Sequence, residues 1–290
     1  MVRARRWLGP CPSCGVYFDC VPKMIDEETG EDTAQLGNDA VQFNQVKPVE
    51  LERVSTGLPG FDRLLGEDRV SGTAGMACIA GHTVQIAGEP GSGKTTLLLQ
   101  CAQGMTRSRR TGLYIATEES KEQHAARAER LGRFSSRFIM SNETDLDEIF
   151  FIIEKYSPEV VWVDSVNKVR LKEYKPGSKA ALAVAAEDLY KFAYKKGFGL
   201  WLVLQVDKSG TDFVGPKEIE HTVDTSLFME KRGGIRRRLL VEKNRYGTAD
   251  PAWQDYDLVK DAPLEEVPLE TAADEQMERQ SDGRSAAGGP

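Results

Sequence analysis

Short apolar runs alternate with amphipathic stretches from about Leu51 to Leu258, an order that predicts a parallel sheet covered by helices. Thr83 to Ala87 is an apolar run that passes at once into a glycine-rich turn and the helical stretch Thr95 to Gly104. Leu113 to Ala116 predicts the next strand, and Ser120 and Gln123 stand at capping-box spacing before a helix toward Arg130. Leu146, Ile149, Phe150 and Ile153 recur at helical spacing and predict one core-facing helix side. Val160 to Val163, uninterrupted and ended by Asp164, predicts a strand buried on both faces, as does Leu200 to Leu204. The helix between them spans about Ala180 to Lys196 and stops at Gly197. Thr225 to Phe228 and Arg238 to Glu242, joined through Gly233 and Gly234, predict the last strands.

The flanks lack this pattern. Residues 1–24 form a small cysteine-containing head, 25–50 a polar, acidic linker, 51–260 the folded domain, and 261–290 an acidic tail expected to be disordered. A length of 290 residues suits one sizeable α/β domain with appendages. The net charge of -7 argues against a nucleic-acid partner only until its distribution is considered. From Asp261 onward eight acidic residues face Arg279 and Arg284, so the tail carries -6 and the body is close to neutral. No apolar run approaches the roughly 20 residues of a membrane span. The three arginines in the first ten residues precede no apolar segment, so a cytoplasmic protein without a secretory signal is expected. Five cysteines do not suggest a disulfide scaffold. Cys11 and Cys14 have the spacing of half a metal site and are candidate, incomplete zinc ligands, with Cys20 a conceivable third. Cys78 and Cys101 fall in or beside apolar segments and read as small buried hydrophobes.

Residues Gly88, Glu89, Pro90, Gly91, Ser92, Gly93, Lys94 and Thr95 satisfy G-x-x-x-x-G-K-[ST] between a strand and a helix, with Thr96 following. Glycines there let successive N–H groups turn toward an anion, and the helix N-terminus adds its dipole. The expected ligands are ATP and Mg²⁺: Lys94 for the β- and γ-phosphates, Thr95 for the metal. Asp164, closing an apolar strand, supplies the carboxylate that such a metal needs. Because Ser165 follows it, the base that activates water must come from elsewhere. Glu118 and Glu119 follow the strand Leu113 to Ala116 at the edge where ligands of such sheets bind. Glu118 is the first candidate and Glu119 the reserve, against the plainer reading that both only decorate a helix start.

In order, these motifs resemble the RadA (Sms) branch of the RecA superfamily. The segment Val54 to Gly66 looks like that family's lead-in, Glu118 to Ser120 its glutamate motif, Asp164 and Ser165 its Walker B, and Gly215 to Asp224 a further match. Lys243-Asn244-Arg245-Tyr246-Gly247 resembles the branch's KNRFG signature, with Tyr246 for Phe. The resemblance implies a RecA-like P-loop NTPase core: α/β, with a mostly parallel central sheet flanked by helices. It also implies an ATPase that assembles into a homo-oligomeric ring, binds single-stranded or branched DNA, and promotes branch migration in recombinational repair. Lys243 and Arg245 would then act in trans on a neighbour's nucleotide. Gln205 resembles the polar sensor of RecA proteins, where the RadA branch tends to have His. The loops after Asp164 and Gln205 would face DNA through Lys168, Arg170, Lys172, Lys175, Lys179 and Lys208, with Tyr174 able to stack on a base. Two departures stand out. Only Trp7 to Gly15 resembles the family's four-cysteine zinc element, and the family's Lon-like C-terminal domain is absent from the sequence. The rival readings are a replicative-helicase-type or KaiC-like ATPase, and an ATP-gated scaffold that hydrolyses little.

Overall fold

The computed structural model describes residues 53–67, 72, 74–77, 81–107, 109–205, 223–247, 253–259 and 262–268. The head, the linker, Cys11, Cys14, Cys20, Cys78, Lys208 and residues 269–290 of the tail lie outside them.

A nine-stranded sheet organises the chain. Its strands are β3 (Thr83–Gly88), β4 (Gly112–Ala116), β5 (Phe138–Ser141), β6 (Val160–Asp164), β7 (Gly199–Gln205), β8 (Thr225–Lys231), β9 (Arg236–Asn244), β10 (Trp253–Leu258) and β11 (Leu264–Glu266), in the order β11-β10-β9-β8-β3-β7-β6-β4-β5. The strands from β8 to β5 run parallel, and β9, β10 and β11 add an antiparallel meander at one side. A separate antiparallel pair joins β1 (Arg53–Val54) to β2 (Met76–Ala77). The helices are α1 (Pro59–Leu65), α2 (Lys94–Arg107), α3 (Lys121–Leu131), α4 (Leu146–Tyr156) and α5 (Lys179–Lys196).

Strand alternation divides the apolar runs between two layers. Ile86, Tyr114, Trp162, Trp201 and Val203 pack with α2 residues Leu97, Leu98 and Cys101 on one face. Ala87, Leu113, Ile115, Val161, Val163, Leu200, Leu202 and Leu204 meet α4 and α5 on the other. This is why Val160–Val163 needs no polar interruption. The sequence-predicted caps form: Ser120 Oγ accepts from Gln123 N at 3.3 Å, Gln123 Oε1 accepts from Ser120 N at 2.8 Å, and Gly197 ends α5 at φ 78°. Leu146, Ile149 and Ile153 are buried, with Phe150 stacked on Phe192 at 4.4 Å. Cys101 is fully buried, and its thiol is pushed up by desolvation.

Within the stretch from Asp261 expected to be disordered, residues 264–266 instead form β11, which corrects the expectation for the described residues 262–268. Gln100 of α2 grips both sides of Leu264: its Nε2 donates to Leu264 O at 3.0 Å and its Oε1 accepts from Leu264 N at 2.9 Å. Glu266 accepts from Gly60 N and Phe61 N, each at 2.8 Å. These are first-turn donors of α1, whose N-cap, Leu58, has no side-chain acceptor of its own. A carboxylate that reads as part of an acidic tail thus caps a helix far away in sequence. Glu266→Ala should lower unfolding stability by about 1–2 kcal/mol, seen as a lower denaturant midpoint at unchanged slope. An unchanged midpoint would show that water replaces the carboxylate without cost.

Candidate nucleotide site

Parallel strands end together, and register sets which ends are level. Gly88 pairs with Gln205, and Ala116 with Asp164, so four strands deliver the phosphate loop, Gln205, Asp164 and the Glu118 segment to one edge. The loop then turns into α2 at Lys94.

Lys94 is buried and its Nζ donates to Gly88 O at 2.5 Å and Glu89 O at 2.9 Å. Burial lowers this ammonium to about 8, opposed by the carboxylates of Asp164 and Glu118. Thr95 Oγ1 donates to Asp164 Oδ2 at 2.7 Å. The same oxygen accepts from the fully buried Tyr114 hydroxyl at 2.8 Å. Burial, reinforced by Asp164, pushes the Tyr114 phenol well above its ordinary value, so it remains a donor. A hydroxyl and a carboxylate oxygen in direct contact beside a phosphate loop fit the hard-oxygen preference of Mg²⁺, and Thr95 and Asp164 are the residues that would hold it. Among the described residues no group of three or more His, Cys, Asp or Glu side chains forms another metal site.

The two adjacent glutamates have different partners. Glu119 is gripped by Arg127 through two bonds, 2.7 and 2.9 Å, which help hold its carboxyl below the usual range despite burial. It also lies 3.8 Å from His124, whose proton affinity burial lowers. Glu118 is exposed, and its Oε1 accepts from Ser165 Oγ at 2.5 Å and Gln205 Nε2 at 2.7 Å. Gln205 is itself positioned by Asn167, whose Oδ1 accepts from Gln205 N at 3.0 Å. Sequence reasoning passed over Tyr114, Ser165 and Asn167 as contact makers: the pairing of β4 with β6 brings Tyr114 and Ser165 to Asp164 and Glu118, and Asn167 meets Gln205 at the end of β7.

Lys168, Arg170, Lys172, Lys175 and Lys179 are all exposed along the segment after β6. Arg170 donates from Nε to Thr144 Oγ1 at 2.9 Å, and Lys172 pairs with Asp147 at 2.6 Å with both side chains largely in solvent. Lys243 and Arg245 lie elsewhere. Lys243 pairs with Ser226 and Asn244 with Thr225, and Thr225 is level with Val84 near the start of β3. At about 3.3 Å per residue, that is roughly 13 Å below Gly88. Lys243 Nζ donates to Val223 O at 2.6 Å, and Arg245 pairs with Asp224 at 3.0 Å.

A cleft of about 400 Å³ is lined by Thr96, Arg127, Leu131, Ile235, Arg237 and Val259.

Fold and site together define a P-loop NTPase core of the RecA type. A family model described as "ATPase: KaiC" matches residues 54–151. The chain is similar to the DNA repair protein RadA of Bacillus subtilis, 34% identical over 254 residues covering 84% of this chain and 53% of that protein. It resembles RadA of Escherichia coli at 32% over 257 residues, 84% and 54% of the two chains, and RadA of Aquifex aeolicus at 32% over 271 residues, 92% and 58%. The chain is a RadA-type member of the RecA superfamily, and it spans about half the length of the curated relatives it matches.

The buried ammonium makes phosphate binding sensitive to pH. Below about 8 Lys94 is charged without ligand; above it the free site loses its proton, and a bound polyphosphate restores it. ATP affinity should therefore fall as pH rises past about 8, by up to about tenfold per unit, and binding near pH 8.5 should take up a proton. Calorimetry in two buffers of different ionisation enthalpy checks this; an enthalpy independent of buffer would contradict it.

Proposed function

We propose that this chain is an ATPase of DNA recombination and repair, acting in the cytoplasm, that converts ATP to ADP and phosphate under the influence of single-stranded DNA. The supporting observation is the convergence of Lys94, Thr95, Asp164 and Glu118 at one sheet edge. Mg²⁺, when held by Thr95 and Asp164, would offset charge on the phosphate oxygens. Lys94 leaves its two loop carbonyls for the β- and γ-phosphates. Glu118 is the group suited to accept a proton from water: Glu119 is occupied by Arg127, whereas Glu118 has one oxygen held by Ser165 and Gln205 and its other oxygen bonded to no group among the described residues. Gln205 ends β7 and Asn167 lies just after β6, and the two are joined by a hydrogen bond, so a change at the γ-phosphate can reach the chain leaving both strands.

The exposed cations from Lys168 to Lys179 suit a sequence-tolerant contact with a nucleic-acid backbone, and pairs as solvated as Lys172–Asp147 are readily exchanged for phosphate. Lys208, Cys11 and Cys14 extend the proposal to DNA contact and zinc outside the described residues. Lys243 and Arg245 stand too far from their own phosphate loop to serve it, which favours action on a neighbour in a homo-oligomer, a ring in the family's manner. Branch migration and a preference for branched DNA belong to the same reading. No helix among the described residues is long and apolar enough to cross a membrane.

Steady-state ATP turnover with and without single-stranded DNA tests the proposal. DNA should raise the rate of the unaltered chain. Glu118→Gln should keep ATP binding while hydrolysing roughly 10²-fold more slowly. Arg245→Ala and Lys94→Ala should each be inactive alone and recover activity when mixed, because mixed assemblies contain some interfaces with both parts intact. Turnover indifferent to DNA, or full activity in Arg245→Ala alone, would remove the DNA coupling or the trans mechanism respectively.

A further inference from the structure

Strand β8 outruns β3 beside the phosphate loop. Gly88, the last residue of β3, pairs with Met229, and β8 continues through Glu230 to Lys231. The approach is close: a Cβ on Gly88 would lie 2.2 Å from Met229 O, and Gly88 has φ 150°. Strand alternation puts Lys231 on the same side as Met229, whose Cε would lie 3.4 Å from a Cβ on Gly93. Lys231 therefore emerges against the loop. Its Nζ donates to Pro90 O at 2.8 Å, lies 3.7 Å from Glu89 Oε2, and would sit 3.8 Å from a Cβ on Gly91.

Three successive loop carbonyls thus carry lysine ammonium groups: Gly88 and Glu89 from Lys94, Pro90 from Lys231. The sequence gives no hint of the second lysine, which is 137 positions beyond Lys94 (231 minus 94). With 41% of its side chain exposed, Lys231 is accessible to a ligand, and a neutral carbonyl is a weaker acceptor than a phosphate oxygen. We propose that Lys231 is a second polyphosphate-binding residue, exchanging the Pro90 carbonyl for the terminal phosphate of a nucleoside triphosphate held in its own chain's loop. This rests on the nucleotide site proposed above. Lys94 and Lys231 reach neighbouring carbonyls of one loop, so both ammonium groups are placed to meet a polyanion held there. Glu89 tempers the effect by drawing Lys231 back when no phosphate is present.

The test compares Lys231→Gln and Lys231→Arg with the unaltered chain in calorimetric titrations with a non-hydrolysable ATP analogue and with ADP, both with Mg²⁺. Lys231→Gln should lose about tenfold or more in affinity for the triphosphate and less than about threefold for ADP, at unchanged melting temperature. Lys231→Arg should stay within about threefold of the unaltered chain for both. Unchanged triphosphate affinity in Lys231→Gln would overturn the inference, as would an equal loss for both nucleotides with a lowered melting temperature, which would make Lys231 a loop tether. Lys94→Ala separates the two levels of the argument. If it loses binding while Lys231→Gln does not, only this inference fails; if the unaltered chain binds neither nucleotide, the site itself fails.

Discussion

One oxygen of Asp164 accepts hydrogen bonds from two hydroxyls, Thr95 on the phosphate-loop helix and Tyr114 on a neighbouring strand. Those bonds join the three pieces on which the site depends: the loop after β3, the carboxylate ending β6, and β4 leading to Glu118. Strand β7 separates β3 from β6 in the sheet, so the contact also bridges the end of β7, where Gln205 stands. Such a meeting is possible only if the strands end level, and register enforces this through two-sided burial. A shift of one residue would turn Trp162 and Trp201 out of one apolar layer and Val161 and Leu202 out of the other. The core fixes the site because each strand carries apolar residues on both faces.

Close approaches refine that frame at a few glycines. A Cβ on Gly104 would lie 1.9 Å from Thr56 O, so the segment preceding α1 can lie directly on α2. Gly112 leaves room for Trp162, from which a Cβ would be 2.4 Å away. Gly88 lets β8 run past the loop, and without that passage Lys231 would not reach it. Small residues here decide which larger side chains can meet.

Much of this was legible in the residues. The apolar runs ending at Ala87, Ala116, Asp164 and Leu204 became parallel strands, and the glycine-rich motif fell at the expected strand-to-helix junction. Periodicity failed at β10 and β11. Trp253–Leu258 mixes Gln and Asp with large rings because Asp255 is buried against Arg238, which also covers Trp253 at 4.1 Å. The three residues of β11 are too few to show alternation, and Glu266 is a cap rather than a solvated tail charge. Within the site, spacing could name Lys94 and Asp164. It could not separate Glu118 from Glu119, because the difference lies in Arg127, Ser165 and Gln205, which only the fold brings together.

The central claim is that Thr95 and Asp164 form the metal-binding half of a nucleotide site. Mn²⁺ can stand in for Mg²⁺, and its affinity in the presence of ADP is measurable by electron paramagnetic resonance for the unaltered chain and for Asp164→Asn. That substitution keeps the shape and an oxygen acceptor but removes the charge. Mn²⁺ binding should weaken by about tenfold or more in Asp164→Asn, with ADP binding in the absence of metal changed by less than about threefold. Equal Mn²⁺ affinity in the two proteins would contradict it.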